Sequence, residues 1–196
     1  MRWLIKRFAR TEMDVPTRRA WASARTVPDI GKRTAQWLSG ELSYSANGYD
    51  EPDPETEELR PTLIAANQAG FATTCSQPGG QWLEEGTGLW EQRAFVDGFI
   101  EQDKYPKLES ALTGAGLSVF PGDAPNIIVT TLDGEPQTGS SYGLRRRDYH
   151  CMLAPCGGAA IRAARQAVYV QMIDLEWHRN DLLWPALEAW AVNRSA

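Results

Sequence analysis

Apolar residues come in short bursts along this chain, and their spacing switches between the period of a helix and that of a strand. Leu59, Leu63, Ile64 and Ala66 recur at helical intervals behind an acidic start at Asp53-Pro54, and Gly70 stands where such a helix closes. Pro61 interrupts that stripe, so the helix either begins late or bends there. Residues 71–75 then read as a strand and residues 77–88 as a loop. Residues 90–100 alternate well enough for a second strand, with Arg93, Phe95 and Asp97 on one parity. A helix over 105–115 (Leu108, Ala111, Leu112) leads through Gly116 to an apolar run at 117–120, and residues 126–132 read as a clean strand. The last quarter predicts a helix over 159–166, a strongly apolar strand over 168–175, and an amphipathic helix over 181–192 that Asp181 caps.

Elsewhere the periodicity fails. Residues 16–31 read as irregular, broken by Pro16, Pro28 and Gly31, with Trp21 as an anchor. Asp29 is the expected cap of a short helix through Thr34, Trp37 and Leu38 that ends at Gly40. Residues 44–54 and 134–149 are crowded with turn formers and read as loops. No internal repeat of solenoid period is visible. Helices and strands alternate from residue 55 onward, which predicts one α/β or α+β domain: a mixed sheet of about five strands flanked by helices. The expected organisation is a basic N-terminal arm or first helix over residues 1–25, then a single domain over 26–196.

Bulk properties narrow the class. A chain of 196 residues with 42% hydrophobic content can bury one sizeable core, and eight Trp give it large apolar area to bury. A net charge of −5 argues against a general nucleic-acid binder. The charge is uneven, because residues 1–25 carry Arg2, Lys6, Arg7, Arg10, Arg18, Arg19 and Arg25 against only Glu12 and Asp14. That end reads as an arm lying on an acidic body, as an arm for a membrane surface or nucleic acid, or as an extension ahead of a start at Met13. Lys6 and Arg7 interrupt the apolar Trp3-Leu4-Ile5 and Phe8, which disqualifies a secretory core. No run approaches the roughly 18 residues of a membrane span. Three cysteines, an odd number, fit reduced thiols in a cytoplasm. No membrane partner is expected.

Several stretches resemble a known family. ETEELRPTLIAANQAGFATTCSQPG with WEQRAFVDGF, the C-terminal VYVQMIDLEWHRNDLLWPALEAW, and ARTVPDIGKRTAQWLSGEL resemble uncharacterised proteins of a domain-of-unknown-function family encoded by actinobacteria and their phages. The resemblance spans most of the chain and implies an organism range and a shared fold, with no reaction attached. A weaker likeness is to small proteins in which a helix leads through Asn and Gly to a Thr-x-x-Ser-Cys-x-Gly loop. Here Gln77 follows Ser76 where those proteins have cysteine, so their thiol chemistry does not carry over.

The candidate chemistry gathers at two places. Thr73, Thr74, Ser76 and Gln77, followed by Gly79 and Gly80, put hydroxyls and close-approach backbone at the end of a strand, where a phosphate, carboxylate or nucleobase is commonly held. The same residues also suit a polar turn that satisfies its own backbone. Asp174 and Glu176 share a parity past the last strand; they suit a divalent metal or a split of acid and base roles, and equally a surface pairing with Arg179. Trp82, Trp90 and Trp177 flank these segments and suit base stacking as well as core packing. His150, Cys151 and Cys156 supply only half of a zinc motif, so no metal is expected. Cys156 precedes a glycine-led helix, a setting that can lower a thiol pKa, and the default expectation for it is a buried, inert cysteine. A Ser76–His178–Asp174 relay and phosphate contacts from Arg145, Arg146 and Arg147 complete the candidates.

The leading expectation is a domain that binds a small anionic, nucleotide-like ligand. Thr73, Ser76, Gln77 and Gly79 line its pocket, Trp90 or Trp177 stacks, and Arg179 offsets the charge. The rival is a hydrolase or transferase acting through Asp174 and Glu176, with or without a divalent metal. The third reading is a phage-encoded factor that engages a host protein through a Trp-rich face. The helix over 181–192, with Leu182, Leu183, Trp184, Leu187 and Trp190, offers a homodimer face or a cover for the sheet. The sequence names no cofactor.

Overall fold

Proline starts the first helices of this chain. In the computed structural model, which describes residues 13–122, 126–140 and 144–195, Pro16 and Pro28 occupy the first turns of α1 (Val15–Ser23) and α2 (Val27–Leu38). A missing N–H costs nothing there, because no intrahelical partner exists for it. Residues 16–31 are therefore largely helical, contrary to the reading of that stretch as irregular. The Asp14 carboxylate caps α1 by accepting from Thr17 N at 2.8 Å. Thr26 caps α2, and Asp29 completes the capping box from inside the helix rather than serving as the cap. The basic positions before Met13 lie outside the described residues.

A 3-10 turn, Pro54–Leu59, feeds α3 (Arg60–Gln68), with Pro61 in its first turn and Gly70 closing it at φ +97°. The remaining elements are β1 (Ala72–Gln77), β2 (Gly80–Glu84), β3 (Gly88–Gln92), β4 (Phe95–Ile100), α4 (Tyr105–Gly114), β5 (Ser118–Pro121), β6 (Ile128–Leu132), β7 (Glu135–Gly139), α5 (Arg146–Met152), α6 (Gly158–Gln166), β8 (Val168–Ile173) and α7 (Leu183–Ser195). They build two four-stranded sheets, ordered β1-β4-β8-β5 and β2-β3-β6-β7, and every pairing is antiparallel. The chain is α+β. Two small antiparallel sheets take the place of the single mixed sheet expected.

Three local misreadings explain the difference. Residues 90–100 are two strands: β3 pairs with β2 and β6, whereas β4 pairs with β1 and β8, so the chain changes sheet at Arg93-Ala94. Apolar alternation continues across that crossing and hides it. Residues 77–88 are mostly a hairpin, with Trp82 opposite Trp90 and Gly86 (φ +79°) in the turn. The stretch 134–149 contains β7 and α5. β2 and β7 are exposed along nearly their whole length, which leaves no inward-facing pattern to read. At the other end, β8 stops at Ile173 and α7 starts at Leu183, so Asp181 stands outside the helix it was expected to cap.

Helices cover both faces of the first sheet. Leu63 and Ala66 of α3, Leu108 and Leu112 of α4, and Leu183, Trp184, Leu187 and Trp190 of α7 pack on Phe71, Val96, Ile100, Val170 and Met172. Trp21 of α1, Ile30 of α2 and Ala160, Ile161 and Ala164 of α6 meet Ala72, Phe99 and Tyr169 on the other face. The apolar face of α7 is thus consumed within the chain. The second sheet leans on the end of the first through Val129, which packs on Phe95 and Ile173. α2 and α3 approach so closely that a Cβ on Gly31 would lie 2.5 Å from the Asn67 carbonyl oxygen.

Candidate functional site

β1 and β8 both run antiparallel to β4, so they point the same way and the chain leaves them at the same end of the sheet. The two bends meet, and they meet tightly. Gly79 donates its N–H to Asn180 Oδ1 at 2.9 Å, and a Cβ on Gly79 would overlap the Arg179 carbonyl. Gln77 is equally committed: its Nε2 donates to the carbonyls of Arg93 and Val129 at 3.0 Å each, and its Oε1 accepts from Thr130 at 3.3 Å. Thr73 through Gln77 belong to β1 and form no loop.

Beyond Ile173 the chain is held by charge. Asp174 is 1% exposed, and its carboxylate receives Arg179 Nε at 2.6 Å, Arg179 Nη2 at 2.7 Å and Glu176 N at 3.0 Å. Glu176 meets the same guanidinium at 2.6 Å. Such bidentate pairing offsets the cost of burying the carboxylate. His178 adopts a left-handed φ of +66°, donates its N–H to the Gln92 carbonyl, and sets Nε2 2.9 Å from Glu91 Oε1. With His178 on Glu91 and Asp174 on Arg179, no Ser76–His178–Asp174 relay is assembled. Trp177 carries the Arg93 guanidinium over its ring at 4.2 Å, while Trp90 stacks on Trp82 and donates to Glu84.

The open concavity lies on the other side of β1. A cleft of about 130 Å³ is floored by Thr73, Thr74, Cys75 and Ser76, and walled by Trp37 of α2, by Tyr49, Glu51 and Asp53 of the segment ahead of the 3-10 turn, and by Met152 of α5. β1 reaches it because it is an edge strand, paired only with β4. A bulge between Thr73 and Cys75 turns Thr74 toward Asp97, and Thr74 Oγ1 donates to Asp97 Oδ1 at 2.5 Å. Tyr169 donates its hydroxyl to Asp97 Oδ2 at 2.5 Å, so Asp97, 3% exposed, ties β1 to β8 across β4. Behind the floor, Asn67 accepts from Thr73 N at 3.0 Å and donates to Thr73 Oγ1 at 2.7 Å.

The field in this cleft is negative. Burial raises the Cys75 thiol far above its ordinary value, and the carboxylates of Asp97, Glu55 and Asp53 raise it further. Cys75 is an exposed residue that lines the cleft. Burial and then Asp53 raise the Tyr49 hydroxyl, and the same two causes raise the Glu55 carboxyl against the lowering effect of Gln92. No Lys or Arg is among the described lining residues. Cys75 is therefore a thiol, not a thiolate.

Cys156 fits the buried, inert reading rather than the reactive one. It is buried, and burial pushes its thiol up to about 12, so the following glycine-led helix does not make it reactive. Arg145, Arg146 and Arg147 are exposed at the start of α5, where Arg145 N bonds Asp148 Oδ2 at 2.7 Å.

Of the residues singled out from sequence, Thr73, Thr74 and Ser76 reach the cleft; Gln77, Gly79, Trp90, Trp177, Arg179, Asp174 and Glu176 do not line it. Tyr49, Asp53 and Asp97 went unmarked. Asp97 was visible as the one charged residue inside the apolar strand FVDGFI. Tyr49 and Asp53 sat in a stretch legible only as a turn-rich acidic loop.

The model of a family described as Domain of unknown function (DUF6919) matches residues 16–193, so the chain belongs to that family. No curated protein matches it. Among the described residues, no helix is long and apolar enough to cross a membrane.

Proposed function

We propose that this member of the family binds a small organic cation, an ammonium or guanidinium headgroup, in the cleft over β1. The observation that carries this reading is the lining itself: Glu51 and Asp53 supply negative charge, Trp37 and Tyr49 supply aromatic faces, and basic side chains are absent from the described walls. Size agrees. A cleft of about 130 Å³ compares with the roughly 150 Å³ that accepts a benzene-sized guest, and falls short of the roughly 300 Å³ at which drug-sized sites begin. That volume suits a headgroup, and the rest of a larger ligand would extend into the adjoining cleft of about 610 Å³, which shares Trp37, Leu38, Glu51 and Pro52. The Thr73 and Ser76 hydroxyls and the neutral Cys75 thiol add polar contacts without adding positive charge.

An anion at the bend after β1 has less support, because the Gly79 N–H and the Gln77 amide are already engaged. Chemistry at Asp174 and Glu176 has Arg179 against it, which holds both carboxylates. The resemblance to actinobacterial and phage proteins and the odd cysteine count support a cytoplasmic setting for the same reading.

Calorimetric titration with alkylammonium and guanidinium compounds, beside nucleotides and inorganic phosphate, tests the proposal. Saturable binding of the cations that Asp53→Asn weakens, and that exposed Glu135→Gln leaves alone, supports it. A response to phosphate or nucleotides with none to the cations overturns it.

A further inference from the structure

Two four-stranded sheets have four outer strands, and three of them are protected. The outer side of β1 is met by Asn67, which accepts from Thr73 N at 3.0 Å. β5 ends at Pro121, and β7 carries Pro136 and slips register against β6 between Ile128 and Thr130 and again between Thr130 and Thr131. Proline, bulges and cover are the devices that keep an edge from pairing with another chain. Among the described residues β2 has none of these three, and Glu84 is its single charge. Its five residues pair with β3 without a break, it contains no Pro, Lys or Arg, and it presents Leu83 at 77% and Trp82 at 40% exposure.

We propose that β2 pairs antiparallel with β2 of a second copy of this chain, about a two-fold axis at Trp82, joining two four-stranded sheets into one of eight strands. The pleat restricts the register: a two-fold axis normal to the sheet keeps each side chain on its own face, so some residue must lie opposite itself. Centring on Trp82 uses all of β2, with Gly80 opposite Glu84 and Gln81 opposite Leu83. Charge is compatible with this register and excludes a centre at Glu84, which would set two carboxylates against each other, whereas the Trp82 centre sets each against a glycine. Trp82 already stacks on Trp90 with ring centroids 6.1 Å apart and planes 11° from parallel. The two-fold extends that pair into a row of four indoles, each Trp90 oriented by Glu84 Oε2 at 2.7 Å from its Nε1. Leu83, on the opposite face, gains the Gln81 side chain of the second copy as a neighbour.

Sedimentation across a concentration series, together with cross-linking, tests this. The expected result is reversible doubling of mass, with Leu83→Lys raising the dissociation constant about tenfold or more. Leu83 is the most exposed of these residues, so that variant keeps its fold, which circular dichroism verifies. Trp82→Cys should oxidise to a covalent dimer, because the axis sets position 82 against itself; Val192→Cys, exposed on α7, should not. A chain that stays monomeric at every concentration overturns the proposal. So does a dimer indifferent to Leu83→Lys, or one in which Val192→Cys cross-links as readily as Trp82→Cys. Capture of a different protein on β2 while the chain remains monomeric also overturns it.

Discussion

Gly79 packs directly on the backbone of Arg179: its N–H reaches Asn180 Oδ1 at 2.9 Å, and the space a Cβ would need is filled by the Arg179 carbonyl. One glycine therefore joins the end of β1 to the turn after β8. Gly79→Ala should separate these bends and cost roughly 1–3 kcal/mol of stability, the range for overpacking a tight contact. The midpoint of urea unfolding reads it, and Gly114→Ala, a position with open space, is the control.

Asn67 is fully buried between α3 and β1, where one amide serves three partners: Leu63 O, Thr73 Oγ1 and Thr73 N. Asn67→Ala should destabilise by about 1–3 kcal/mol, since the Thr73 N–H loses its acceptor away from bulk water. Denaturant unfolding measures the loss. Amide exchange at Thr73 should accelerate with it.

Cys156 makes stability fall in alkali. Its thiol value is raised in the folded state, so the folded form holds the proton more tightly than the unfolded form. That contribution is complete below the ordinary thiol value of 9.0 and is lost as pH rises from there toward about 12. Cys156→Ala should flatten this limb of the stability–pH curve, at the cost of a small cavity that lowers stability at neutral pH.

Glu55 lies outside the cleft lining but close enough to act on Cys75, and it gives the cleft a pH dependence. Its carboxyl is raised by burial and by Asp53, so folding stability falls as pH rises from the ordinary carboxyl value of 4.5 through the raised value. Cation binding should run the opposite way, strengthening as Glu55 ionises. Titrations with an alkylammonium compound at a series of pH values from 4.5 upward, with Glu55→Gln as the reference lacking this titration, check the sign. Asp53→Asn should weaken binding about tenfold at every pH, a loss of one charge contact near a partly buried site.

Much of the helical framework was legible in the chain. Gly70 ending α3, the apolar stripes of α4 and α6, and the dense apolar run of β8 each carry a local signal that the fold obeys. Prolines misled at α1 and α2, because the pattern does not distinguish a breaker from a first-turn residue until the cap before it is located. The hairpin of β2 and β3 and the strand β7 were illegible for a different reason: a strand exposed on both faces has no hydrophobic alternation to display.

The candidate site divides along the same line. By itself the sequence determined that short polar residues stand at 73–77, that Asp97 interrupts an apolar strand, and that the body of the chain is acidic, since composition and local order are properties of the string. Tertiary structure alone decided that the 77–80 and 174–180 bends close on each other, and that a concavity opens on the outer side of β1, past the Asn67–Thr73 contact, instead. Those outcomes depend on which strands become neighbours and which edge is left uncovered, and pairing partners far apart in the chain are selected by the burial of whole faces, not by any residue's immediate neighbours.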